Sequence, residues 1–377
     1  MQVANPNPLG LGGLMPVDEV FDLDLGGAIK GDIDYGIGME TTYNSNLNLS
    51  ETDENDDVSL VVNPWLRYDT DPEGGARFSI VANYRPSMIG FLENSEYNRF
   101  NQNGDIVFRF EGAKTLVELF ARYQQLSGSD YLTGDFIEGS LFTTGVRVSR
   151  QVAPRTNVFG GVSAAMSDYQ SSLDQGAEVY SGYLGALWSK SERLRLGGSL
   201  RYSMTQSDNS GDRNAIALLL EARYLLGDRT RVSVSLGPEF ADTDGAGSAV
   251  NLSADAEAVY MINERWSWRM LLRSATVPSP NEANTMVSDL SVQTSLQRRM
   301  LRGMLGGGLE YRYATYDDGG LAAVERDNEA TTGVFIEYRR PLGSERLAFE
   351  SRARYSFNDG VSDWEQFQLS LGLQVSF

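Results

Sequence analysis

The side chains in this sequence best placed to do chemistry are arginines and carboxylates set two residues apart. Glu221 stands with Arg223, Glu310 with Arg312, Glu337 with Arg339, and Glu350 with Arg352 and Arg354. On a β-strand a spacing of two puts both side chains on one face. Charges arranged in this way act electrostatically. They can set a transverse field across an aqueous lumen, or they can pair across strands and keep a polar wall hydrated and in register. Pairing is the expectation for most individual groups. Arginine suits both uses because its planar fork meets a carboxylate with two donors, and Lys30, Lys114 and Lys190 are the only lysines. The same polar-face set includes Arg67, Arg77, Arg85, Arg109, Glu111, Glu118, Arg122, Arg147, Arg195, Arg201, Arg231, Glu239, Asp255, Glu257, Arg269 and Arg273.

What the chain lacks excludes most other chemistry. It has no His and no Cys, which removes a Ser-His-Asp triad, an imidazole base, zinc-thiolate sites and thiol nucleophiles. No catalytic residue, cofactor or metal site is therefore expected, and the chain does not read as an enzyme. A net charge of −19 argues against a nucleic-acid partner, which would require a basic face.

The elements that hold these charges read as β-strands. In the last segment Phe367, Leu369, Leu371, Leu373, Val375 and Phe377 alternate with Gln366, Gln368, Ser370, Gly372, Gln374 and Ser376. Such order over about eleven residues exceeds the usual strand of about five or six and matches the length a tilted strand needs to cross hydrocarbon. The apolar set of this strand is also expected to be read by the barrel-assembly machinery. The same period recurs at Phe78, Ile80, Ala82 and Tyr84, with Val81 an apolar exception on the polar face. It recurs again at Leu194–Met204, Trp266–Leu272 and Leu347–Phe357. No run of eighteen or more apolar residues exists, so helical spans are excluded. The mean hydropathy of −0.31 fits a membrane sheet in which only alternate residues meet lipid.

About eighteen such segments follow one another: 31–44, 57–69, 75–87, 103–113, 114–126, 136–150, 155–168, 177–189, 193–206, 213–226, 229–242, 249–262, 265–276, 286–298, 302–316, 328–340, 345–357 and 364–377. Two of them, 114–126 and 177–189, alternate poorly, which leaves sixteen as the other count. The fold class is all-β: a transmembrane, antiparallel, up-and-down β-barrel. Connections alternate between long ones (50–57, 87–103, 127–135, 168–176, 207–212, 243–248, 277–285, 317–327, 358–363) and tight ones between them. That alternation is expected of long outer loops and short periplasmic turns. The long loops are rich in acids, with Arg99, Arg213 and Arg326 the exceptions, while the turns and their flanks are basic, as at Lys114, Arg150, Arg155, Lys190, Arg193, Arg229, Arg265, Arg298, Arg299, Arg302 and Arg346. Two aromatic girdles are expected: Tyr84, Tyr123, Tyr202, Phe240, Tyr313 and Tyr355 near the loops, and Tyr68, Tyr224, Tyr260, Tyr338 and Phe377 near the turns.

Residues 1–30, with the breaker-rich stretch Asn5–Gly13, are read as a periplasmic tail, and 31–377 as the barrel. Met1–Pro6 carries no basic region followed by an apolar core, so the chain is read as a mature form whose signal peptide has been removed. The acidic cluster Glu51, Asp53, Glu54, Asp56 and Asp57 lacks the Gly pivot and terminal Glu of a calcium loop and is expected to be a solvated, mobile loop. Gly306, Gly307 and Gly308 lie inside a strand with no helix to follow, so close backbone approach or a bend in the wall is their expected use.

At Tyr43-Asn44-Ser45-Asn46-Leu47-Asn48-Leu49-Ser50, Asp56-Asp57-Val58 and Pro64-Trp65-Leu66-Arg67-Tyr68, the first hairpin resembles that of the outer-membrane β-barrel porins encoded in bacterial exopolysaccharide gene clusters. The resemblance implies a wide barrel in the bacterial outer membrane, spanning about 31–377. It also implies work with a periplasmic polysaccharide-export protein, through which finished polymer leaves the cell, and it brings no catalytic residues. The residues by themselves leave two other readings: a general diffusion channel for small hydrophilic solutes, and an anchoring barrel. Lipid and lipopolysaccharide are the surroundings any of these implies.

Overall fold

The alternation becomes a sheet wrapped on itself. A computed structural model describes residues 33–377 apart from 53, 72–73, 75, 130–135, 171–174, 208–211, 245–246, 279–285, 318–327, 344–345 and 361–362; residues 1–30, read above as a tail, lie outside it. The strand segments are β1 (Ile33–Asn44), β2 (Asp57–Asp69), β3 (Phe78–Tyr84), β4 (Ser87–Phe91), β5 (Arg99–Asn101), β6 (Asn103–Glu111), β7 (Thr115–Ser129), β8 (Phe136–Ala153), β9 (Thr156–Gln170) and β10 (Gln175–Ser189). They continue as β11 (Leu194–Ser207), β12 (Arg213–Leu226), β13 (Thr230–Thr243), β14 (Gly247–Met261), β15 (Trp266–Pro278), β16 (Met286–Met300), β17 (Gly303–Asp317), β18 (Glu329–Pro341), β19 (Leu347–Asp359) and β20 (Trp364–Ser376). Segments β3 and β4 are two halves of one strand, interrupted at Arg85-Pro86, and β5 and β6 are two halves of the next. The result is an eighteen-stranded antiparallel barrel, and the count of sixteen falls.

Every pairing is antiparallel between chain neighbours, and the ring is closed where β1 pairs with β20 from Gly36↔Ser376 to Asn44↔Gln368. Closure removes the unpaired edge that would otherwise template aggregation. The seam is fastened by the Thr42 and Ser370 hydroxyls at 2.7 Å, by the Phe377 N–H donating to the Tyr35 carbonyl at 2.9 Å, and by the stacked rings of Tyr35 and Phe377, 5.5 Å apart. The connections at the Phe377 end are short apart from that between β2 and β3, and the longest lie at the other end. We call these the turn end and the loop end.

The molecule carries its apolar side chains on the outside. Ile33, Tyr35, Ile37 and Met39 on β1, Leu218 and Leu220 on β12, and Phe367, Leu369, Leu371 and Leu373 on β20 are all exposed. Their neighbours in sequence are less exposed and mostly polar, and face the lumen. A continuous apolar outer surface of this kind is far larger than the patches a water-soluble monomer carries, and it suits lipid. Among the described residues no helix is long and apolar enough to cross a membrane, and a single short 3-10 turn, Ser95–Tyr97, is the only helical piece.

The poorly alternating segments 114–126 and 177–189 are the full-length strands β7 and β10. Their pattern is blurred because inward positions hold apolar rings and chains, Leu116 and Phe120 on β7 and Val179, Tyr183 and Leu187 on β10. The stretch expected to be an outer loop at 87–103 instead contains β4 and β5. There the chain adds backbone pairing, Ser59↔Phe91 to Val62↔Met88, with too few residues to show a period.

Candidate functional site

The site is the inner wall. Direct cross-strand partners always share a face, so the register fixes which side chains enter the lumen. Strands β14 to β19 bring many of the charges together. Asp255 of β14 meets Arg273 of β15 at 3.4 Å and Arg201 of β11 at 4.0 Å. Glu257 takes Arg269 at 2.7 Å, Asp289 of β16 takes Arg312 of β17 at 2.9 Å, and Glu337 of β18 takes Arg352 of β19 at 3.0 Å. Arg339 of β18 pairs with Glu350 of β19 at 3.2 Å and also donates to Gln374 of β20 at 3.4 Å.

Arg354 of β19 spans β18 to meet Glu310 of β17 at 2.6 Å. Gly333 lies beneath it: a Cβ there would sit 3.5 Å from Arg354 Nη2. Glycine leaves the shallow trough in which the guanidinium lies. Glu310 also accepts from Gln293 Nε2 at 3.1 Å, and Arg354 donates to Ser356 Oγ at 3.0 Å. The Glu337 carboxylate occupies the space over Gly306, 2.8 Å from where a Cβ would stand, and the Phe335 ring covers Gly308 at 2.7 Å. Close approach is thus what the glycine run provides.

Residues that are two apart in sequence share the face but not the bond. Glu310 binds Arg354 rather than Arg312, Glu337 binds Arg352 rather than Arg339, and Glu350 binds Arg339 rather than Arg352. For the two β18–β19 pairs, a directly opposite residue on the next strand lies nearer than a same-face residue two along the same strand, about 5 Å against about 6.8 Å; Glu310 and Arg354 meet across β18, over Gly333. The exception is Arg67, which holds Asp69 on its own strand at 2.9 Å.

Strands β7 to β10 make a different wall. Arg109 of β6 pairs with Glu118 of β7 at 2.8 Å. Beyond that pair Arg147 is the one inward charge on β8, β9 and β10 among the described side chains, and its guanidinium lies over the Phe120 ring at 4.5 Å. Here glycines carry rings: Phe120 covers Gly145, Tyr183 covers Gly161 and Phe159 covers Gly185. Between them the Ser163 and Ser181 hydroxyls share a hydrogen bond of 2.8 Å.

The remaining sequence-derived candidates fall as follows. Glu221 is buried and accepts from Ser199 Oγ at 2.6 Å. Arg195 and Arg223 stand opposite each other on β11 and β12, Arg231 stands opposite Leu225, Arg122 opposite Asp105, and Glu111 opposite Leu116, all on inward positions. Arg85 sits at the break between β3 and β4. Arg77 precedes β3, and its guanidinium lies 5.1 Å from the Phe110 ring on the outer wall. Its position on the polar face does not make it a lumen residue, because beyond the strand end the pleat no longer dictates direction and a ring face attracts the cation. Arg213, expected in an outer loop, is the first residue of β12. It is buried in the lumen and paired with Glu239 of β13. Sequence reasoning missed Arg213 and Asp289 as lumen residues, although the period through 213–219 and 287–297 marks both.

At the loop end the β1–β2 connection is fixed to the inner face of the seam. Asn46 is fully buried; its side chain donates to the carbonyls of Ser50 at 2.8 Å and Glu365 at 2.9 Å, and its own carbonyl accepts from Gln366 Nε2 at 2.8 Å. Asp57 is the first residue of β2 and is buried. It accepts from the N–H groups of Val58, Leu92, Glu93 and Asn94 and from the Asn94 side chain. The acidic stretch expected to be solvated and mobile therefore ends in a buried staple between two loops. Among the described residues no cluster of acids could hold a metal ion. Asp53 and Arg326 lie outside the described residues.

No protein family and no curated protein matches the sequence. Solved structures similar to the chain include the outer membrane protein OpdK from Pseudomonas aeruginosa, at 13% identity over 92% of this chain and 99% of that one, TM-score 0.49. OccAB3 from Acinetobacter baumannii is similar at 10% identity over 92% and 100% of the two chains, TM-score 0.47. OpdQ from Pseudomonas aeruginosa is similar at 11% identity over 92% and 98%, TM-score 0.46.

Proposed function

We propose that this chain is a passive channel of the bacterial outer membrane for small hydrophilic solutes, with the turn end in the periplasm and the loop end outside. The observation that carries the reading is the combination of an apolar outer wall and a polar inner wall around eighteen strands, a number whose circumference leaves room for water. The inner charges are largely paired with one another, so the fixed field is local and the channel discriminates weakly between cations and anions. Lipopolysaccharide surrounds the loop end, and the exposed apolar face of β20, with Phe377 beside Tyr35 at the seam, is what the assembly machinery meets.

Purified protein in a planar bilayer is expected to give stepwise conductance with a reversal potential near zero in a potassium chloride gradient. A silent bilayer after verified insertion overturns the channel and favours an anchoring barrel. A second reading, export of a sugar polymer with a periplasmic partner, is favoured by the inner face of β20, where Gln366, Gln368, Ser370 and Gln374 offer only amides and a hydroxyl. Liposome efflux separates the two: a disaccharide escapes in both cases, whereas a dextran of several kilodaltons escapes only through a polymer conduit.

A further inference from the structure

The outward-facing groups at the two ends of the barrel differ in sign. At the loop end, outer-wall tyrosines donate to carboxylates: Tyr180 to Glu178 at 2.7 Å, Tyr355 to Glu365 at 2.7 Å and Tyr43 to Asp56 at 3.4 Å. At the turn end, outer-wall rings hold arginines. Trp266 of β15 and Arg298 of β16 stand directly opposite each other, and the guanidinium carbon lies 5.2 Å from the ring centroid. Arg298 is exposed. One step deeper the wall is apolar, with Trp268 satisfied by Thr294 Oγ1 at 2.8 Å and Leu296 exposed beside it. The next turn projects Leu301, 98% exposed, between Met300 and Arg302.

We propose that Arg298, held on Trp266, binds the phosphodiester headgroup of an anionic phospholipid in the leaflet that meets the turn end. The proposal rests on the membrane reading given above and adds a ligand site to it. A guanidinium at the boundary of an apolar wall is well placed for a phosphate: its acyl chains lie along Trp268 and Leu296 while the fork donates to two phosphate oxygens. The stacked ring reduces the freedom Arg298 must lose on binding and keeps it at headgroup depth, where tryptophan itself prefers to lie. Charge complementarity decides the occupant. A lipid with a compensating amine offers a weaker field, and lipopolysaccharide phosphates face the other end, where the wall presents carboxylates.

The test is native mass spectrometry of the full chain in detergent with added phosphatidylglycerol, phosphatidylcholine or lipopolysaccharide, alongside insertion into liposomes. Phosphatidylglycerol is expected to be retained over phosphatidylcholine. Arg298→Gln should weaken it about fivefold. Arg298→Lys should lose less than Arg298→Gln, and Arg99→Gln at the loop end should lose nothing. Phosphatidylglycerol retained equally by Arg298→Gln, phosphatidylcholine held as well as phosphatidylglycerol, or lipopolysaccharide competing at this arginine would each overturn the site alone. Failure of the wild-type chain to enter liposomes would overturn the membrane reading and the site with it.

Discussion

The inner wall has two faces built on one device. Along β14 to β19, long charged chains cross the strands and neutralise one another, as Arg354 does over Gly333 to reach Glu310. Along β7 to β10, rings lie over Gly145, Gly161 and Gly185, and hydroxyls fill the spaces between them. In both arcs glycine lowers the floor so that a large side chain can lie flat along the wall instead of standing across the lumen. What differs is the cover. A guanidinium can move aside by rotating about several bonds, whereas a ring wedged against backbone cannot. The charged arc should therefore be sensitive to loss of a partner, and the ringed arc to gain of an atom.

The largest effect is expected in the charged arc. The Glu310 and Arg354 side chains keep only 12% and 13% of their exposure. Glu310→Ala removes the Glu310 carboxylate from a largely desolvated Arg354, at a cost of about 3 kcal/mol. Urea unfolding from liposomes measures the loss, and the double variant with Arg354→Ala should recover most of it. The single variant should also shift the reversal potential toward anion selectivity. A loss below about 0.5 kcal/mol would mean that water screens this arc throughout, and the contrast between the faces would vanish.

The next effect separates the two kinds of glycine. Alanine at Gly161 would place its Cβ 2.6 Å from the Val146 carbonyl and 2.9 Å from the Tyr183 ring. Backbone and ring must both shift, at about 2 kcal/mol. At Gly333 the nearest atoms are Ser356 Oγ at 3.3 Å and Arg354 Nη2 at 3.5 Å, both able to give way, so Gly333→Ala should cost no more than about 0.5 kcal/mol. Equal losses at the two positions would show that the cover does not matter.

These faces were unequally legible in the sequence. The charged arc announces itself through the arginines and carboxylates on its inward positions, although Val259, Leu271 and Phe335 interrupt them; outside both arcs, β12 and β2 begin and end where the period says they should, at Arg213–Leu226 and Asp57–Asp69. The ringed arc is hidden by its own construction. Phe120 and Tyr183 point inward yet are apolar, so each breaks the period of its strand, and the glycine that explains it lies on a neighbouring strand. The choice of ion-pair partner was equally out of reach. Glu310 and Arg354 stand two strands apart, with only the register and an intervening glycine bringing them together. A single strand read alone pairs Glu310 with Arg312. The inward direction of the β1–β2 loop depends on Asn46 finding Gln366 at the opposite end of the chain, and local pattern carries no trace of such a contact.

The smallest effect tests whether burial, and not ion pairing as such, sets the strength of these contacts. Arg109 and Glu118 form a cross-strand pair at 2.8 Å, a geometry as good as that of Arg354 and Glu310, but the Arg109 side chain is 51% exposed. Water already solvates that guanidinium, so Arg109→Gln should cost about 0.5 kcal/mol or less. Even that loss should fade as added salt shortens the screening length to about 3 Å near 1 M. The Glu310→Ala loss should persist in the same salt. If the two losses proved equal, or faded together, the two pairs would be energetically alike, and the distinction between the desolvated Glu310–Arg354 pair and the wetted Arg109–Glu118 pair would have to be given up.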